Sequence, residues 1–182
     1  MITIDLESMA IEMPTVAGHP NREPFRGVLT TVDLPSDRAP AGARGHRVVL
    51  TRAAAEAALP SLLGMALDYA PSLDRHDVRR KVGIITQAEI VGRELELKGY
   101  LFARDCPEIV QEIESNSGAS GERTAHAEST RRLGMSYEIA DASVADLRAQ
   151  VWILTRVTFT GAAILRRDKA AYRDTWIALE NQ

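Results

Sequence analysis

The sequence predicts an α+β fold in one domain, with a mainly antiparallel, barrel-like sheet at its core and helices around it. Several stretches alternate apolar and polar residues with the period of a half-buried strand. Successive strands arrive as neighbours joined by short turns, which favours an antiparallel sheet or barrel over alternating βαβ units. At 182 residues, 45% hydrophobic and 26% charged, the chain can bury a core without metal or disulfide. The expected tally is six or seven strands with three or four helices.

The first 13 residues read as an edge strand or an arm. Residues 14 to 47 carry five of the eight prolines, together with Gly18, Gly27, Gly42 and Gly45, so residues 1–46 are expected to be an irregular arm and turns. Short extended pieces such as Phe25 to Thr30 fall within them. Arg47 to Leu50 reads as a strand, and Thr51 is placed to cap a helix through TRAAAEAAL. Pro60 then either breaks that helix or starts a second one through SLLGMALDY. Two strands follow, Lys81 to Ile90 and Glu94 to Phe102, joined by the hairpin residues Val91-Gly92-Arg93. After Pro107, EIVQEIES has the apolar spacing of an amphipathic helix. Residues 115–130, SNSGASGERTAHAEST, are small and polar and are expected to form a flexible loop.

The next strand is LGMSYEI. Leu133, Met135, Tyr137 and Ile139 share one face, and Gly134, Ser136 and Glu138 share the other. A turn is expected from Asp141 to Asp146, then a β-rich run from Gln150 to Thr160. From Asp168 to Leu179, Ala170, Ala171, Tyr172 and Trp176 recur at helical spacing.

A net charge of −3 supplies no general basic field for nucleic acid. The single cysteine, Cys106, rules out an internal disulfide and any cysteine-cluster metal site, and reads as a small hydrophobe. No apolar run reaches the length of a membrane span. Neither His-x-x-His nor HExxH spacing is present, nor a GxxxxGK[ST] or GxGxxG phosphate cradle, so no metal and no cofactor are expected. Ser136 is not in a GxSxG elbow. His19 and His46 lie among turns and His126 in the polar loop. His76 differs, because LDRHD stands just before a strand, and Asp74 and Asp77 flank it. A neighbouring carboxylate would stabilise the imidazolium that a general base becomes.

Three segments in order, LDRHDVRRKVGIITQAEIVGRELELKGYLFARD, LGMSYEI and LTRVTFTGAAILRRDKAAY, together resemble the phage prohead proteases. These are capsid-maturation serine proteases related in fold to the herpesvirus assemblins. The likeness runs from position 47 to about 172. It implies an assemblin-like fold with His76 as general base and Ser136 as nucleophile. The third member departs from the family pattern, since the stretch from Leu154 to Thr158 holds neither a carboxylate nor an imidazole. Glu138, two residues beyond Ser136 on the same face, is the candidate third member. Asp74, Asp77 and, weakly, Thr158 are others, and Arg156 facing the site would count against catalysis. Arg166 and Arg167 are similar in position to the arginine pair of an assemblin oxyanion hole. Gly134, on the Ser136 face, would leave room for a substrate backbone.

The resemblance further implies a serine endopeptidase that processes scaffold and major capsid proteins during phage or prophage head maturation. It would work inside the assembling prohead in the host cytoplasm, as a homodimer or larger homo-oligomer, without nucleic acid or membrane partners. The 115–130 loop would gate the site or be cut by the enzyme itself. A second reading keeps the protease fold without activity, as a structural component of capsid assembly.

Overall fold

A computed structural model describes residues 8–11, 18–116 and 133–180. Among them, strands β1 (Ser8–Ala10), β2 (Glu23–Thr31) and β3 (Arg47–Leu50) precede helix α1 (Arg52–Ala58). Then come β4 (Ala66–Tyr69), β5 (Lys81–Val91), β6 (Glu94–Leu101), helix α2 (Pro107–Asn116), β7 (Leu133–Val144), β8 (Val151–Arg166) and β9 (Trp176–Leu179). The strands form one sheet in the order β3-β8-β4-β5-β6-β2-β9, with β7 added on β8 and β1 on β5. The sheet curls until β7 packs against β2 and β9. Phe25, Leu29, Leu62, Ile85, Leu97, Ile109 and Phe159 are among the fully buried side chains of the core inside that curl.

The 16-residue β8 organises the sheet. One edge pairs antiparallel with β7. Its other edge takes two short strands end to end, β3 beside Val151–Leu154 and β4 beside Ala162–Ile164, both parallel. The sheet is therefore mixed, not purely antiparallel, because α1 and the turn after it carry the chain back in the direction of β3. FTGAAIL continues β8 without turning.

Several local expectations hold. The β5–β6 hairpin turns where Gly92 adopts φ +61. Thr51 caps α1, its Oγ1 accepting from the Ala54 N–H at 3.2 Å and donating to the Leu154 carbonyl at 3.1 Å. β1 is an edge strand on β5, as read for the first residues. The extended piece from Phe25 to Thr30 is a nine-residue strand.

Other expectations are corrected. Two α-helices and one 3₁₀ turn (Leu59–Leu62) stand among the described residues where three or four helices were expected. Pro60, lacking an N–H, sits in that 3₁₀ turn, so the second helix never forms and ALDY becomes β4. Leu67 and Asp68 are buried between β8 and β5, where strand pairing satisfies their backbone. The C-terminal stretch is a turn followed by β9, which pairs with β2 from Val28↔Trp176 to Phe25↔Leu179. Ala170, Ala171 and Tyr172 are buried by that turn, and the Tyr172 hydroxyl donates to the Val48 carbonyl at 3.1 Å. Asp141 is a bulge at φ +50, not a turn, and β7 runs on to Val144. Of the 115–130 loop only Ser115 and Asn116 are described, closing α2; the rest, with His126, lies outside the described residues.

Candidate active site

The face of the sheet opposite the main core carries the site. Ser136 on β7 pairs with Ala163 on β8, and Ala163 pairs with Asp68 on β4, so the three form one row across adjacent strands. At about 4.8 Å per strand, the Asp68 and Ser136 backbones stand about 10 Å apart. Glu138 pairs with Gly161 in the next row along that face. Between the polar residues lies a floor of Gly161 and Ala163. A Cβ on Gly161 would lie 2.7 Å from Glu138 Oε2 and 3.1 Å from the Ala66 carbonyl oxygen. The missing side chain lets the Glu138 carboxylate lie across β8.

His76 enters from the loop between β4 and β5. That loop is tied down at several points. Asp77 N–H donates to Asp68 Oδ1 at 2.9 Å. Arg166 N–H donates to the Leu73 carbonyl at 2.9 Å, and Arg80 N–H to the Asp77 carbonyl at 2.9 Å. His76 Nδ1 is thereby held 3.1 Å from Glu138 Oε1 and 3.9 Å from Asp68 Oδ2. The imidazole keeps 30% of its side-chain surface exposed, Glu138 15% and Asp68 none.

Asp68 Oδ2 is buried without a hydrogen-bond partner, with Lys81 Nζ at 4.0 Å. Burial pushes the Asp68 carboxyl up to about 6. The Asp77 N–H and the His76 charge work against the rise, while the neighbouring Glu138 carboxylate adds to it.

The structure brings His76 and Glu138 together and places Ser136 on the same face, two residues before Glu138 and about 7 Å along the strand. Among the described residues no hydrogen bond joins the Ser136 hydroxyl to His76. The aspartates flanking His76 serve the loop instead of the ring: Asp74 accepts from the Ser72 hydroxyl, and Asp77 Oδ1 accepts from the Arg79 N–H at 3.2 Å. Thr158 and Arg156 pair with Ala140 and Ser143, beyond the bulge and outside the rows of Ser136 and Glu138.

Arg166 and Arg167 lie at the Leu133 end of β7. The Arg166 N–H donates to the Leu73 carbonyl, and its Nε pairs with Asp168 Oδ1 at 3.3 Å. Arg167 Nε donates to the Arg173 carbonyl at 2.8 Å. Gly134 does not open space for substrate, because Thr175 fills it: an added Cβ would lie 2.5 Å from Thr175 Oγ1. A cavity of about 470 Å³, lined in part by Thr31, Arg93 and Trp176, includes none of Asp68, His76, Ser136 or Glu138.

Asp68 is the site residue that sequence reasoning missed. Its signal was a lone carboxylate inside the apolar run ALDY, hidden by assigning that run to a helix.

No family model matches the chain, and no curated protein matches it. Among solved structures it is similar to the KSHV protease in complex with a hexapeptide phosphonate inhibitor, at a TM-score of 0.49 and 12% identity. That match covers 88% of this chain and 66% of the other, so the chain spans about two thirds of that protein's length.

Proposed function

We propose that this chain is a serine endopeptidase with Ser136 as nucleophile, His76 as general base and Glu138 as the carboxylate that orients the base. The carrying observation is the 3.1 Å contact between His76 Nδ1 and Glu138 Oε1, on the strand and face that present Ser136. A carboxylate accepting from Nδ1–H fixes the tautomer that leaves the Nε2 lone pair available. Nε2 takes the Ser136 proton as Oγ attacks the scissile carbonyl carbon. The imidazolium, stabilised by Glu138, then gives that proton to the leaving amine as the C–N bond breaks. Water, deprotonated by His76, attacks the acyl-enzyme; the imidazolium returns that proton to Ser136 Oγ as the ester bond breaks, which releases the new carboxyl group and restores the free enzyme.

The substrates under this reading are scaffold and major capsid proteins of a phage or prophage head, cut within the assembling prohead in the host cytoplasm by a self-associating enzyme. The order of the His76, hairpin, Ser136 and final-strand segments supports that class. Co-expression with the neighbouring capsid and scaffold proteins tests it, wild type against Ser136→Ala and His76→Ala. Cleavage by wild type and its loss in both variants is the expected result. Identical products in all three would overturn the enzyme and leave a structural role.

A further inference from the structure

We propose that Asp68, His76 and Glu138 form a binding site for a divalent cation of the zinc class, and that filling it switches the peptidase off. The regulatory half rests on the reading above; the site itself does not.

One ligand atom from each of the three residues lies within 4.8 Å of the other two. The two measured edges, 3.1 Å from Nδ1 to Glu138 Oε1 and 3.9 Å from Nδ1 to Asp68 Oδ2, bracket what tetrahedral zinc requires. Bonds of 2.0–2.2 Å give ligand-to-ligand edges of about 3.3–3.5 Å. Along those two edges, side-chain movements of well under an ångström bring the three donors to zinc-ligand spacing and leave the fourth position to water. Glu138 and Asp68 stand on strands either side of β8, and the His76 loop is tied to β4, so the donors are held in place before any ion arrives.

The second observation is Asp68 Oδ2. Its side chain is fully buried, its other oxygen is committed to the Asp77 N–H, and Oδ2 has no hydrogen bond. A buried carboxylate oxygen left without a donor is costly, and a coordinated cation supplies the missing partner. The nearest positive groups, His76 Nδ1 at 3.9 Å and Lys81 Nζ at 4.0 Å, fall short of hydrogen-bond contact. Lys81, on β5, is 38% exposed and free to swing into solvent when an ion enters. One imidazole with two carboxylates suits zinc, cobalt or manganese better than the all-oxygen preference of calcium and magnesium. The exposed edge of His76 gives the ion a way in.

Coordination at Nδ1 puts the ring's remaining proton on Nε2. The imidazole then has no lone pair for the Ser136 proton, and hydrolysis stops until the ion leaves.

The test titrates Zn²⁺ alone into the purified full chain carrying Ser136→Ala, which keeps all three ligands and cannot digest itself, against a chromophoric chelator. One ion per chain is expected, with affinity at least about tenfold weaker in Asp68→Asn and in Glu138→Gln on the same background. Thermal melts confirm that each variant is folded. No binding, or equal binding in all the folded variants, overturns the site. In parallel, Zn²⁺ should stop wild-type cleavage and excess chelator should restore it; cleavage indifferent to saturating Zn²⁺ overturns the switch. Site-dependent binding in a chain that never cleaves would instead sink the peptidase reading and leave the cation site standing.

Discussion

Glu138 and Gly161 act as a pair. The carboxylate reaches His76 because β8 has no side chain where it crosses, and the Ala66 carbonyl behind that point is backbone that cannot yield. Gly161→Ala is therefore expected to push Glu138 off the imidazole. Loss of the orienting carboxylate costs up to about 10⁴-fold in kcat in serine enzymes of this type. Glu138→Gln should fall in the range of about 10²- to 10⁴-fold, and Gly161→Ala should lose a large part of the same factor. Measured kcat values for the two single variants and the double variant check this, because Gly161→Ala should cost little more once Glu138 is gone. Additive losses would mean that Gly161 acts elsewhere. The parity of LGMSYEI was enough to place Glu138 beside Ser136 in the sequence. Gly161 could not be read, since its role exists only once β7 lies on β8.

At the scale of elements, strands with eight or more residues and a defined turn were legible, as was β3 with its β-branched Val48-Val49 pair, but the four-residue strands β4 and β9 were not. Four residues hold too little period to separate strand from helix, and pairing with β8 or β2 decided the outcome. The turn between β8 and β9 shows what replaces the expected helix. Tyr172 is buried there, its hydroxyl held by the Val48 carbonyl of β3, and burial pushes its pKa up to about 12 from the ordinary phenol value of 10.0. The folded phenol is the weaker acid. Its contribution is thus fully present below pH 10 and is lost as pH rises from there through about 12. The unfolding free energy from denaturant titration should fall across that window, by something on the order of 2 kcal/mol from this group. In Tyr172→Phe the fall should be shallower, and at neutral pH the lost hydrogen bond should cost about 1 kcal/mol. Parallel pH profiles for the two proteins would count against this account of the turn.

At the scale of the molecule, the site depends on how the sheet closes. β7 and β9 lie at opposite ends of the strand order and meet only because the sheet curls. Thr175, just before β9, forms the join: its Oγ1 accepts from the Met135 N–H at 3.2 Å and donates to the Tyr172 carbonyl at 3.0 Å. The seam adjoins Ser136 and helps to hold the register of β7, in which a slip of one residue would exchange Ser136 and Glu138 for Met135 and Tyr137. A hairpin and a curled, barrel-like core were readable from sequence, but this seam joins residues 40 apart with no local pattern to mark it. Gly134→Ala tests it, because its Cβ would press 2.5 Å from Thr175 Oγ1 and 3.3 Å from the Thr175 carbonyl oxygen. Overpacking of this kind typically costs about 1–3 kcal/mol. The unfolding free energy from urea titration should drop by that amount, through a lower midpoint at unchanged slope, and cleavage should weaken as the Ser136 segment shifts. Thr175→Ala removes the nearest clashing atom and also the Met135 hydrogen bond, so the double variant should be more stable than the sum of the two single losses. Strict additivity would show that Thr175 does not fill the space above Gly134, and the seam would then have to be sought elsewhere along β7.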